Sequence, residues 1–427
     1  MIKRNVLSKD ALLPLEQSAA ERAIQGRRRE DRKTTTCQNC QFFIGPILCM
    51  LFLHTECRIQ GVGPMNRLVK SLAVAGLMLH LQSPSAAPVG VPAKAVQNYL
   101  APCFTAGNGV NCEVSGVARV GENLILANDK KMPRPGGPAI FTMALDDHRI
   151  VGTPSYLEGT VLLKADKFEG LTTTLDGKYV IAITAFNNPS NDALNTLLYW
   201  PVSEPKNAKV ISVSTGTQVT NSQSLRAKIN EAVGSSYYQI EAISTSPGDR
   251  LLIGIRKHGK ESKQAKFSFL LLSISCSINE QGVQLGDQFE IVLSLTPDQL
   301  VEKLGMQAGA YPELGLSGLE FDRYNQDRLY AVTSYERDGK EVGQKEIGGF
   351  LWVLPFEGSK LGEPQPVRLE EGAVVAFNHK PEGVEVLDDS HVLIVHDDDR
   401  VRVEDPETHT RRQEHEFGYS VVTFGAE

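Results

Sequence analysis

From residue 113 onward the chain alternates between short apolar blocks and turn residues, and the same arrangement returns five times. Each copy opens with Glu or Ser, then a small residue, then alternating apolar positions, a turn and a second apolar strand. The copies begin at Ser115-Gly116, Glu169-Gly170, Glu241-Ala242, Ser317-Gly318 and Glu382-Gly383. Their second strands are Leu124–Asp129, Tyr179–Thr184, Leu251–Arg256, Leu329–Ser334 and Val392–Asp397. Third strands follow at Ile140–Leu145, Thr196–Trp200, Phe267–Leu272 and Gly349–Leu354. Outer strands are predicted at Ala208–Val213, Phe289–Leu295 and Gln365–Leu369. Repetition of four short antiparallel strands is the signature of a propeller blade. The pattern therefore predicts an all-β chain, a β-propeller of five four-stranded blades, with room for a sixth around 211–238. A single β-sandwich is the alternative, but it does not predict repeated Glu-Gly starts. Helical spacing is confined to two insertions, Ser222–Val233 and Pro297–Leu304.

The first ninety residues read differently. Arg27, Arg28, Arg29, Arg32 and Lys33 form a basic cluster. Met65 is followed by Arg67, Lys70, the apolar run Ser71–Leu81 and small residues at Ser85, Ala86, Ala87 and Ala93. A basic start, an apolar middle and small residues at a cut site describe a secretory signal peptide. The expected organisation is an upstream extension over 1–64, a signal peptide over 65–90 and a propeller over 91–427, periplasmic or secreted. An internal apolar helix is the competing account of 71–81.

Composition sharpens this picture. The 427 residues carry 44 Lys and Arg against 51 Asp and Glu. Residues 1–87 hold 12 of those bases and 6 of those acids, which leaves 32 against 45, a net −13, for 88–427. So acidic a body argues against nucleic acid as a partner, since neutralising phosphates takes surplus Lys and Arg. No apolar run is long enough for a membrane-spanning helix, so no integral membrane domain is expected. Cys37, Cys40, Cys49 and Cys57 precede the predicted propeller, and Cys37-x-x-Cys40 is only half of a zinc pattern. Cys103 and Cys112 flank a short Gly-rich loop that an oxidising compartment could bridge, while Cys276 lies in an apolar strand.

Glu169-Gly-Leu, Ile240-Glu-Ala-Ile with Leu251–Arg256, and Lys380-Pro-Glu-Gly-Val with Val392–Asp398 resemble an uncharacterised family of bacterial secreted propellers. That family is similar to the "esterase-like activity of phytase" propeller domains, and the resemblance covers about residues 110–400. It implies the propeller fold and a phytase-like, esterase or phosphoesterase hydrolase chemistry. The Asp-Ala-x-Asp-Asp-Pro-Ala and Asn-Asn-Phe-Asp-Val-Arg segments of alkaline propeller phytases are absent, a departure that counts against phytase activity itself.

In a propeller the innermost strands line the central channel. Ser115, Glu169, Glu241, Ser317 and Glu382 are thus expected as a ring at one mouth, where Glu169, Glu241, Glu382 and Asp397 could hold a hard cation such as Ca²⁺. Clustered carboxylates also raise one another's pKa, which creates a candidate general acid. The plainer expectation is that each Glu caps a neighbouring blade's backbone. Arg256, Lys257 and His258 form the one cationic cluster predicted beside the ring. In the hydrolase reading Glu169, Glu241, Glu382 and His258 are catalytic, and Arg256, Lys257, Ser115 and Ser317 bind a small anionic substrate. Arg256 alternatively forms a structural pair with Glu169 or Glu241. Asp397-Asp398-Asp399 resembles a calcium turn without EF-hand spacing, and His396 is a second candidate base. A serine elbow is missing, because Gly315-Leu-Ser317-Gly318 is one residue short, and there is no H-E-x-x-H, Walker or G-x-G-x-x-G segment. The alternative to hydrolysis is a non-catalytic propeller that binds a ligand or a periplasmic protein through its long loops, and in either reading a monomer is expected.

Overall fold

The computed structural model describes residues 92–425 except 105–109, 132–136, 214–219, 340–344, 359 and 405–408. The extension expected over 1–64 and the signal peptide expected over 65–90 lie outside these residues. Five antiparallel sheets follow one another along the chain. From the inside outwards, blade one is Val114–Val120, Asn123–Asn128, Ile140–Asp146 and Arg149–Tyr156. Blade two is Phe168–Thr173, Tyr179–Thr184, Leu197–Pro201 and Lys209–Val210. Blade three is Tyr237–Ser246, Arg250–Gly259, Lys266–Asn279 and Glu290–Leu295, with Gly282–Leu285 extending its third strand as a hairpin. Blade four is Gly315–Phe321, Arg328–Asp338 and Lys345–Glu357, edged by the short pieces Lys360–Leu361, Gln365–Pro366 and Ala376–Phe377. Blade five is Pro381–Val386, His391–His396 and Glu416–Phe424.

The outer strand of blade five comes from the other end of the chain. Ala93–Pro102 pairs antiparallel with Glu416–Phe424, from Ala93 opposite Phe424 to Pro102 opposite Glu416. Each inner strand also packs against the next, and the fifth against the first, so the ring closes. Among the described residues there is no sixth blade. The 211–238 interval instead holds the helix Gln223–Val233, which buries Leu225 and Ile229 against blades two and three. The second expected helix forms at Pro297–Lys303 behind a Thr296–Gln299 capping box, and a short third one, Thr160–Lys164, was not legible in the pattern.

Five apolar clusters occupy the five seams between blades. Strand alternation feeds both sides: Val180 and Ala182 face blade one, while Ile181 and Ile183 face blade three. Strands covered on both faces read as nearly continuous apolar runs, which explains blocks such as Tyr179–Thr184. Cys103 and Cys112, both buried in the seam of blades five and one, are joined as a disulfide. Cys276 is a free thiol, partly buried beside the seam of blades two and three.

The small residue of the repeat follows from how closely inner strands approach. A Cβ at Gly318 would stand 2.5 Å from the Glu382 carbonyl oxygen, and one at Gly116 would stand 3.0 Å from the Leu171 nitrogen. Gly318→Ala should therefore push blade four away from blade five and destabilise the fold by about 1–3 kcal/mol, as overpacked sites do. Chemical denaturation compared with Gly286→Ala, where the backbone is not left-handed and a Cβ meets nothing closer than 3.4 Å, checks this; equal losses would refute the steric account.

Candidate functional site at the channel mouth

The register of each inner strand slips at one residue: Ser115, Glu169, Glu241, Ser317 and Glu382 are the unpaired members of five equivalent bulges. A bulge re-aims its side chain, and here it does so once per blade. All five are buried, at 4% exposure or less. Ser115, Glu169, Glu241 and Glu382 line an axial cavity of about 10 Å³, room for one water or ion and not for an ester substrate.

The ring carboxylates take side-chain partners rather than capping neighbouring backbones. Lys167 Nζ lies 2.5 Å from Glu169 Oε1 and 3.2 Å from Asp129 Oδ2. Gln239 Nε2 donates to Glu241 Oε1 at 2.5 Å. Lys380 Nζ reaches Glu382 at 3.1 Å and Asp399 at 3.0 Å. Lys167, Gln239 and Lys380 each precede their ring Glu by two positions, so one strand edge carries both partners. This row was missed in the sequence, although Lys-x-Glu at 167–169 and 380–382 was its visible sign. In blade four the corresponding residue is Gly315, and a Cβ there would meet Arg256 Cγ at 2.7 Å. That gap admits Arg256, whose Nη1 contacts Ser334 Oγ at 2.7 Å, Glu382 Oε1 at 3.1 Å and Ser317 Oγ at 3.3 Å. Arg256 is thus a buried partner of Glu382, not of Glu169 or Glu241.

In blade one the corresponding residue is Glu113. Its carboxylate, with those of Asp129 and Asp397 at two middle-strand ends, places one oxygen from each within 4.8 Å of the others. Lys130 Nζ sits between Glu113 and Asp129 at 2.6 and 2.8 Å, yet its side chain is half exposed. Burial, the neighbouring Asp399 and Glu113, and only partial relief from Lys380 hold Asp397 well above the usual carboxylate range. Burial and Glu382 raise Glu241 to about 7, against Arg256, Lys167 and Lys380. Glu169 is pushed the same way by burial and Glu241, opposed by Lys167. For Lys167 burial alone would lower the pKa, but Glu169, Asp129 and Glu241 outweigh it and keep the amine charged. Two buried atoms of the ring have no hydrogen-bond partner, Ser115 Oγ and Glu382 Oε2.

Three of the expected bases and cations do not join the ring. Lys257 Nζ lies over the Phe267 ring at 4.9 Å, the same ring that the Arg256 guanidinium faces at 5.7 Å, and makes no ion pair with a ring carboxylate among the described residues. His258 is half-buried, is lowered by that burial, and makes no hydrogen bond or ion pair with a ring residue among the described residues. His396 is buried with its Nε2 2.7 Å from Ser420 Oγ, and burial followed by His379 keeps it neutral. The Asp397–Asp399 turn divides its work: Asp397 faces the carboxylate cluster, Asp398 Oδ2 meets His379 at 2.7 Å, and Asp399 pairs with Lys380.

Three residues beyond each bulge a further row, Ala118, Thr172, Ser244, Glu320 and Glu385, follows along the inner strands. Glu320 accepts from Thr172 Oγ1 and from Arg323, both at 2.9 Å, and Glu385 Oε2 accepts from the Arg119 amide at 2.9 Å. Burial and Glu385 raise Glu320 to about 8.

No family model matches the sequence, and no curated protein matches it. Solved structures do match. The PQQ-bound aldose sugar dehydrogenase from Streptomyces coelicolor is 13% identical over 78% of this chain and 100% of that one, with a TM-score of 0.34. The Bombyx mori GH32 β-fructofuranosidase is 10% identical over 85% of this chain and 70% of that one, with a TM-score of 0.35. Likeness at this level carries neither chemistry nor ligand over to the present chain.

Proposed function

We propose that this chain is an exported β-propeller that captures a hard divalent cation at its channel mouth and, through it, a small anionic molecule. The carrying observation is the trio Glu113, Asp129 and Asp397, three buried carboxylates whose oxygens converge within 4.8 Å. Oxygen-only donors fit Ca²⁺ rather than a softer ion. Burial holds Asp397 above the usual carboxylate range, so an arriving cation would take the place of its proton, and Glu382 Oε2 and Ser115 Oγ are unpartnered oxygens of the ring. Bound there, the cation would supply positive charge to an incoming phosphate or carboxylate. To admit it Lys130 has to release Glu113 and Asp129, Lys167 has to yield Asp129, and Lys380 has to give way at Asp397; the half-exposed Lys130 can turn toward solvent or the anion. The Cys103–Cys112 disulfide and the signal-like segment at 65–90 support an oxidising destination.

Ester or phosphoester hydrolysis at the same mouth is the second reading. It is favoured by Glu241, whose pKa of about 7 makes it an acid able to give a proton near neutrality. Its burial in a cavity sized for one water favours the binding role over direct attack on a substrate.

Calorimetric titration with Ca²⁺, followed by phosphate, tests the proposal. One Ca²⁺ site should appear, Asp129→Asn should weaken it at least tenfold, and phosphate binding should require the ion. No Ca²⁺ binding at millimolar concentration would overturn it. Turnover of phosphate or carboxylate esters that chelation and Glu241→Gln both abolish would favour hydrolysis instead.

A further inference from the structure

Blades one and five also meet away from the channel mouth, where the tips of two hairpins touch. Asp147 and His148 form the two-residue turn between Ile140–Asp146 and Arg149–Tyr156, with φ of 45° and 62°. Asp388 and His391 bracket the turn that follows Pro381–Val386. His148 Nε2 lies 2.7 Å from Asp388 Oδ2, and His391 Nδ1 lies 2.9 Å from Asp388 Oδ1. The two imidazoles stack with centroids 3.8 Å apart. A single carboxylate thus collects two imidazole nitrogens from opposite sides of the seam.

We propose that His148, Asp388 and His391 bind one borderline divalent ion of the zinc class and clasp blade one to blade five. Two imidazoles and a carboxylate select such an ion over Ca²⁺ or Mg²⁺, and they leave a position for water. In a tetrahedral zinc site with bonds of about 2.0–2.1 Å, ligand atoms stand about 3.3 Å apart. The three ligand atoms here already lie within 4.8 Å of one another, and because the two imidazoles stack nearly parallel, binding has to turn one ring out of the stack so that both lone pairs meet at the ion. Asp388 is oriented from behind, its Oδ1 accepting from the Ser390 amide at 2.9 Å and Ser390 Oγ at 3.1 Å. Such outer hydrogen bonds are what hold a metal-binding carboxylate in place. The side chains are 32%, 32% and 21% exposed, open enough for an ion to enter. His148 holds a left-handed backbone that a β-hairpin normally assigns to Gly or Asn, and the strain is tolerated where the imidazole reaches Asp388.

The full chain, stripped with chelator, is titrated with Zn²⁺ by calorimetry and then melted with and without the ion. Because Cys37, Cys40, Cys49 and Cys57 are present in every variant, the readout is a difference. Wild type should bind one equivalent more than His148→Gly or His391→Ala, and tenfold excess Ca²⁺ should not displace it. The ion should raise the melting temperature of wild type and not that of either variant. His148→Gly suits the left-handed turn, so its apo form should stay folded, as judged by circular dichroism. Equal stoichiometry in wild type and variants, or an undiminished thermal shift in them, would overturn the assignment.

Discussion

Arg256→Met is expected to destabilise the protein by about 3–5 kcal/mol, the usual cost of leaving a buried charge without its partner. Arg256 is 6% exposed and contacts Ser334, Ser317 and Glu382 through one nitrogen. Its removal leaves two buried hydroxyls short of a donor and Glu382 with Lys380 as its one cationic contact, beside the Ser334 hydroxyl. Lys257→Met, next along the strand, should cost less than about 1 kcal/mol, because that amine lies over Phe267 outside the ring. Urea unfolding of the two variants checks the contrast. Adding Glu382→Gln to Arg256→Met should restore part of the loss, since the buried charge that has lost one of its two cations is then gone. Equal effects of the two single substitutions would mean that Arg256 does not hold the ring together.

The second large effect is a loss of stability on the alkaline side. Burial and Glu385 raise folded Glu320 to about 8 from 4.5, and burial and Glu382 raise Glu241 to about 7 from 4.5. The folded protein therefore keeps protons that the unfolded chain has already released. Stability from such groups is complete below about pH 4.5 and declines as pH climbs through the folded values, by roughly 1.4 kcal/mol per unit for each retained proton. Below about 6.5, His396 and His258 act in the opposite sense, because burial lowers both in the folded protein and the unfolded chain binds their protons more readily. The clean interval is thus roughly pH 6.5 to 8.5. The melting temperature should fall steadily across it, and Glu320→Gln should flatten the fall. A level profile in wild type, or the same slope in Glu320→Gln and Glu241→Gln as in wild type, would contradict these assignments.

Blade identity was legible in the sequence because each bulge needs a small residue behind it. Gly116, Gly170, Gly318 and Gly383 mark four places where an added Cβ would meet a neighbouring inner strand, and the small Ala242 holds the same position in blade three. The N-terminal strand of blade five was not legible, since nothing in Ala93–Pro102 identifies a partner more than three hundred residues away. The ring itself was predicted residue by residue, but its counter-charges were assigned to one run, Arg256-Lys257-His258. Of those three only Arg256, left unpaired at a bulge of its own strand, reaches a ring carboxylate. Lys167 and Lys380 supply the remaining charge from positions two before the ring Glu, where a strand's period of two returns the side chain to the same face. Glu320 and Glu385 escaped notice because three residues after a bulge looks like the wrong face until the extra residue is counted.

The pairing of Ala93–Pro102 with Glu416–Phe424 also fixes an order of events. Blades one to four are each built from neighbouring stretches of chain and can form as they are made. Blade five cannot, because its outer strand is made first and the strand that receives it is made last. Until the final residues are available, Ala93–Pro102 has no sheet to join, and the apolar side chains Val114, Leu124, Leu126 and Phe141 of blade one have no blade five to cover them. A chain cut short anywhere before Glu416 is thus an open arc rather than a smaller ring. The strand Glu416–Phe424 acts as a completion check on the blades synthesised before it.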